Sequence, residues 1–159
     1  AGTARNTPSH EMRMIHAMST HMSGTAAGFS IMSAGIAFTS PAPRRSTQAF
    51  STWEQLLGDG VRFHTSVPVV LETFTFLDRN AARDVALAWK DSLKTVPHLK
   101  VLPSTAKDLE QAWAYFERPD LHKLSAVDAV SFVLMTQRRI RVAFAFDSHF
   151  ATAGFRMVG

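Results

Sequence analysis

Three carboxylates stand where the residues around them give little reason for a charge. Asp147 follows the apolar run VAFAF at 142–146, β-branched and aromatic residues with small spacers, the makings of a short strand covered on both faces. It is then the first residue out of the sheet, and open α/β sheets gather their ligands at the carboxyl ends of the strands. Glu72 interrupts the apolar stretch VPVVLETFTFL, where burying an unpaired carboxylate is costly. Asp128 lies three residues after Ser125 and just ahead of AVSFVLM. Each also has a plain structural reading: Asp147 as a turn residue, Asp128 as the partner of Ser125 in a capping box, Glu72 as a solvated face residue. Carboxylates that converge repel one another unless a cation joins them, and an oxygen-only ligand set favours Mg²⁺ or Mn²⁺. The chemistry on offer is therefore the binding of a hard divalent cation at one sheet edge.

The elements that must position these acids alternate along the chain. The segment 61–66, VRFHTS, reads as a strand, and Pro68 then opens an apolar helix through Leu77. An amphipathic helix over 81–94 stops before Pro97, and HLKVL is a short strand. A helix after Pro103 and Ser104 spaces Leu109, Ala112, Trp113 and Phe116 three and four apart, as if to face a core. Another follows Ser125, and the strand at 142–146 ends the series. Repeated alternation of this kind argues an α/β fold with a mostly parallel sheet.

Composition narrows the classes. With 159 residues, 46% hydrophobic and 10% aromatic, the chain can bury a real core, and disorder of the whole chain is not expected. Cysteine is absent, which rules out a disulfide framework and a thiolate zinc site. No run approaches the roughly 18 apolar residues of a membrane span. A cytoplasmic protein is the expectation.

The net charge of +4 is unevenly placed. Arg5, Arg13, Arg44 and Arg45 face only Glu11 in the first 53 residues, and no Asp or Glu occurs from Met12 to Trp53. That segment is rich in Met, Ser, Thr, Ala and His, and TSPAPRRS carries a loop signal. Residues 26–38 make a poor signal-peptide core, because Ser30 and Ser33 interrupt them. His10, His16 and His21 recur near helical spacing, but with only Glu11 beside them they make a poor zinc site.

The stretch LSAVDAVSFVLMTQRRIRVAFAFDSHFATAGF, together with HTSVPVVLETFTFL, closely resembles PIN-domain ribonucleases, above all the VapC-like toxins of bacterial toxin–antitoxin pairs. The resemblance covers residues 46–158 in consistent order. It implies a PIN-like three-layer fold, a mostly parallel sheet with helices on both faces, and a metal-dependent endoribonuclease. Glu72, Asp128 and Asp147 match three of the family's four acids, which implies that they are the catalytic, metal-holding residues for Mg²⁺ or Mn²⁺. RNA is the implied substrate, a cognate antitoxin the implied partner, and a homodimer the implied assembly. Thr39 and Ser131 are hydroxyls that could orient a water, and His64 and His149 could enter acid–base chemistry. Arg62, Lys123, Arg138, Arg139 and Arg141 could hold an RNA backbone.

The fourth acid is not found. The family's opening strand ends in Asp-Thr-Ser, and the nearest fits here, IAFTS and GFSIMS, put Phe38 or Ile31 at the aspartate position. Residues 1–45 thus read as an atypical N-terminal segment, disordered or a degenerate first strand, and 46–159 as the PIN-like domain. A catalytically inactive PIN-like module that binds RNA or protein is the alternative function.

Overall fold

The computed structural model describes residues 13–15 and 43–158. In chain order these form β1 (Arg13–Ile15), α1 (Pro43–Gly58), β2 (Phe63–Ser66), α2 (Val67–Asn80), α3 (Arg83–Ser92), β3 (Leu99–Leu102), α4 (Ala106–Phe116), α5 (Ala126–Gln137), β4 (Val142–Phe144), α6 (His149–Thr152) and β5 (Arg156–Val158). The strands make one sheet in the order β3-β2-β1-β4-β5, and every neighbouring pair is parallel. β1 lies in the middle, with Met14 in register with His64 on one side and Ala143 on the other. Phe38 and Ile31, the two candidate positions for a first-strand aspartate, lie outside the described residues.

Helix α1 begins inside the sequence that reads as a loop. Proline is well placed at the first position of a helix, because the amide hydrogen it lacks would have no partner there and its φ is already helical. The Pro-Arg-Arg-Ser run is thus the first turn of α1. Trp53 and Leu56 of this helix pack on Phe63 and Phe144, with the Trp53 ring 4.6 Å from that of Phe63. This cluster covers one face of the sheet.

The other face is covered by α5, which is buried from Asp128 through Met135 and shares a core with Leu102, Ala143, Ala145 and Phe150. Successive strand residues point to opposite faces, so Phe144 meets α1 while its neighbours Ala143 and Ala145 let α5 approach closely. Helices on both faces of a parallel sheet give the three layers expected from the resemblance. The strand after Arg141 is shorter than its composition suggests: pairing ends at Phe144, and Ala145 and Phe146 lead out to Asp147.

The apolar stripe of α4 does not face the core. Asp108 and Ala112 turn inward, while Leu109, Trp113 and Phe116 are 42%, 50% and 41% exposed. The three-and-four spacing fixes only that these residues share a face. Small Ala112 and the hydrogen-bonded Asp108 are what α5 packs against, about 100° round the helix. Among the described residues, no helix is long and apolar enough to cross a membrane.

Candidate metal and active site

In a parallel α/β sheet each helix runs back against the strands, so helix starts and strand ends share one edge. Ser66 ends β2 and caps α2 directly, its hydroxyl accepting from Val69 N at 3.4 Å, with Pro68 in the first turn. Glu72 lies on the second turn of α2, half-buried beside fully buried Thr73. Asp128 lies in the first turn of α5, and Asp147 follows β4. All three predicted acids thus fall on the carboxyl side of the sheet.

Asp128 is 3% exposed and tied to its cap. Its backbone N–H donates to Ser125 Oγ at 3.0 Å, and that hydroxyl donates to Asp128 Oδ2 at 2.8 Å. A second cap shows what a purely structural aspartate looks like. In α4 the Oδ2 of Asp108 takes the Thr105 backbone N–H and hydroxyl, both at 2.7 Å, and its Oδ1 takes Gln137 Nε2 at 2.8 Å. Those bonds, the Thr105 hydroxyl first and then Gln137, hold the Asp108 carboxyl below the usual range. Both oxygens of Asp108 are engaged within the fold, in a full capping box that locks α4 to α5.

Asp147 is oriented by His149, two residues further along the chain. The Oδ1 of Asp147 accepts from the backbone N–H of His149 at 2.9 Å and lies 2.7 Å from Nδ1 of the same residue. The far ring nitrogen of His149, Nε2, is 2.7 Å from the carbonyl oxygen of His122. A carbonyl only accepts, so Nε2 carries the proton, and Nδ1 faces the carboxylate.

Other predicted positions sort differently. Ser131 is buried, and its hydroxyl donates to Val127 O at 2.8 Å within α5. His64 is the second residue of β2, buried near the amino end of the sheet rather than at the carboxylate edge. The basic group divides as well. Arg62, Arg138, Arg139 and Arg141 precede β2 and β4 and so lie at the opposite edge from Asp147, whereas Lys123 precedes α5 on the carboxylate side. Thr39, His10, His16 and His21 lie outside the described residues.

The donors suit a hard cation in kind, since all are carboxylate oxygens. They fall short in grouping: among the described residues, no three His, Cys, Asp or Glu side chains come together closely enough to hold a metal ion. In the sequence no further acid occurs between Met12 and Trp53.

Beside the acids an open cleft of about 360 Å³ runs between α2, α4 and α5, lined mainly by Pro68, Thr105, Leu109, Val127 and Val130. It carries none of the three carboxylates. Of its lining, Leu109 is 42% exposed, and Val67 and Leu71 of α2 are exposed as well.

The PIN domain model matches residues 33–156. The 23S rRNA-specific endonuclease VapC20 of Mycobacterium tuberculosis, found in two strains, is 38% identical over 91 residues, which are 57% of this chain and 69% of the relative. The crystal structure of Mycobacterium tuberculosis VapC20, described as a sarcin-ricin loop cleaving toxin, superposes with a TM-score of 0.64 at 27% identity. That superposition covers 91% of this chain and 96% of the other.

Proposed function

Because this chain belongs to the PIN-domain family, we propose that it is a toxin-type endoribonuclease that works with a divalent cation, Mg²⁺ or Mn²⁺. The observation that carries this reading is the placing of Glu72, Asp128 and Asp147 on the carboxyl side of one parallel sheet, at the start of two helices and just past the end of a strand. A bound cation would make a water more acidic and offset the charge that builds on a phosphodiester under attack.

The chain's own residues set up that arrangement. Ser125 fixes Asp128 from below, so its carboxylate is held rather than free to rotate. His149 orients Asp147, and its ring ties the residues after β4 to the segment before α5 through His122 O. Glu72 reaches the same side from α2. With three acids and no fourth between Met12 and Trp53, the attraction for a cation is weaker than a four-carboxylate site would give. Weak cation binding and slow turnover are the consequence.

RNA is the substrate in this reading, as it is for the similar 23S rRNA-specific endonuclease, and the place of action is the cytoplasm. A cognate antitoxin would hold the toxin inactive. Two copies of the chain would pair through the exposed stripe of Leu109, Trp113 and Phe116 with Leu71 and Val67. Those side chains leave roughly 500 Å² of surface open per copy, the larger part of the about 800 Å² per partner that a stable interface buries.

A second reading is favoured by the absence of a three-membered metal-binding cluster among the described residues: a PIN-like module that binds RNA or protein without cutting. The two separate by incubating a mixed RNA pool with the full chain and Mn²⁺, alongside Asp147→Asn. Cation-dependent cleavage lost in the variant supports the nuclease.

A further inference from the structure

Because all five strands are parallel, one edge of the sheet collects all of their amino ends. A basic residue or histidine stands at every one. In sheet order, His98 precedes β3, Arg62 precedes β2, Arg13 opens β1, Arg141 precedes β4 and Arg156 opens β5. Backbone bonds align the flanks of this row: Phe63 N–H donates to His98 O at 3.0 Å, and Arg156 N–H to Arg141 O at 2.9 Å. At about 4.8 Å between strands, the row spans roughly 19 Å. Lys100, Arg138 and Arg139 thicken it.

Five of the cations on and beside this row are open to solvent. Arg62, Lys100, Arg138, Arg139 and Arg141 are exposed, and none of the five forms an ion pair with another described residue. One of them is held at a cost. Helix α5 ends with Ile140 N–H donating to Met135 O at 2.8 Å and Arg139 N–H to Thr136 O at 3.1 Å, a closure that puts Arg139 at φ 56. Glycine is the favoured residue there, and a residue with a Cβ is strained by about 1 kcal/mol. His98, at φ 58, shares the same left-handed backbone.

A side chain set behind the row registers its potential. Buried His64 has its pKa held below the ordinary histidine value, first by burial and then by Lys100, Arg138 and Arg62.

We propose that the amino edge of the sheet is a second RNA-binding surface, one that grips the phosphate backbone at the end of the domain opposite Asp128 and Asp147. Arg62, Arg141 and Arg156 are exposed arginines on this edge, and arginine's planar fork takes phosphate oxygens in pairs. A folded acidic protein fits less well. Apart from Val101, the exposed large hydrophobics among the described residues lie on α2, α3 and α4, so the described part of this edge lacks the apolar centre of a protein interface. A strand gripped here would pass along the domain toward the carboxylates and raise the local concentration of substrate. Naming RNA as the polyanion rests on the ribonuclease reading, whereas the binding needs no cleavage.

The test uses the full chain in EDTA with a fluorescent, unstructured 20-nucleotide RNA. The variant Arg62→Gln/Arg139→Gln/Arg141→Gln should bind at least tenfold more weakly than the unmodified chain. Its log K against log salt should be shallower by about 2, since each phosphate contact on a single strand contributes roughly 0.7. The matching Arg→Lys triple keeps the charge but not the fork, so its affinity should fall between those of the parent and the Gln triple, and both variants should melt like the parent. The His64 pKa, followed by NMR, should rise when RNA is added. Unchanged affinity and slope in the Gln triple would overturn the proposal. So would a polyglutamate peptide that binds the unmodified chain as tightly as RNA does, which would point to an acidic protein. Cleavage is scored separately in Mn²⁺, so a chain that binds at this edge without cutting sinks the nuclease reading and leaves this one standing.

Discussion

The carboxylate of Asp147 and the imidazole of His149 meet at 2.7 Å, and the same ring is 2.7 Å from His122 O on its other side. One side chain thus bridges the end of β4 and the segment before α5. Replacing it should cost the Nε2 hydrogen bond to His122 O, while the backbone N–H at 149 still holds the carboxylate in place. His149→Ala is expected to lower stability by about 1–2 kcal/mol in urea denaturation. Retention of full stability would mean that the bridge is incidental.

The two capped aspartates should respond in opposite ways to cation. Asp108→Asn gives up a carboxylate bonded through both oxygens and should cost about 1 kcal/mol with or without Mn²⁺. Its lowered pKa makes its contribution present above the unfolded carboxyl pKa of about 4 and lost as pH falls further, so the variant should lose less stability on acidification below pH 4. Asp128→Asn should leave the metal-free protein within about 1 kcal/mol of the parent and abolish any rise in melting temperature on adding Mn²⁺. An equal Mn²⁺ response in Asp128→Asn would remove it from the cation site.

His64 supplies a pH dependence of its own. Burial and the cations beside it depress its pKa in the fold, so between about pH 6.5 and that lower value the unfolded chain binds more protons than the folded one. Its contribution is full above pH 6.5 and falls as the pH drops through this window. Among the described residues its Nδ1 has no hydrogen-bond partner, so little is lost by an apolar replacement. His64→Leu should be at least as stable as the parent at pH 7, and the gap between the two should widen toward pH 5. Thermal melts at pH 7, 6 and 5 decide it; parallel curves would show that His64 titrates alike in both states.

Much of this fold is written in local patterns. Ser66-Val67-Pro68 marks a strand-to-helix junction, Pro103 and Ser104 lead into α4 although its cap is Thr105, and the apolar runs set which strands are buried. Helix α1 is obscured because Pro43 and the two arginines after it carry turn chemistry and helix-start chemistry alike. The α4 stripe shows why periodicity is not burial: Leu109, Trp113 and Phe116 share a face, but the approach of α5 to Ala112 decides which face is covered. Site residues are legible where topology is implied by position. Asp128 and Asp147 lie at a helix start and past a strand end, so their edge could be named in advance. Arg138, Arg139 and Arg141 sit only a few residues before Asp147, yet β4 carries the chain across the sheet between them. Nearness along the chain hides that separation.

The exposed stripe predicts self-association. Trp113→Glu puts a charge on the exposed face that Trp113 shares with Leu109 and Phe116, where burying it unpaired in an interface would be costly. Sedimentation velocity should show a dimer for the parent and a monomer for the variant, with unchanged melting, since Trp113 contributes little to the core. Identical sedimentation of the two would move the interface elsewhere.

Whether Glu72, Asp128 and Asp147 hold a divalent cation that cuts RNA is tested most directly by incubating a mixed RNA pool with the unmodified chain in Mn²⁺, in EDTA, and with Asp147→Asn in Mn²⁺. The expected result is slow cleavage by the unmodified chain that requires Mn²⁺. It should fall by about a hundredfold in Asp147→Asn, because a misplaced cation loses its alignment with the phosphate. Cleavage that survives EDTA or the substitution, or no cleavage by the unmodified chain at all, would contradict the proposed site.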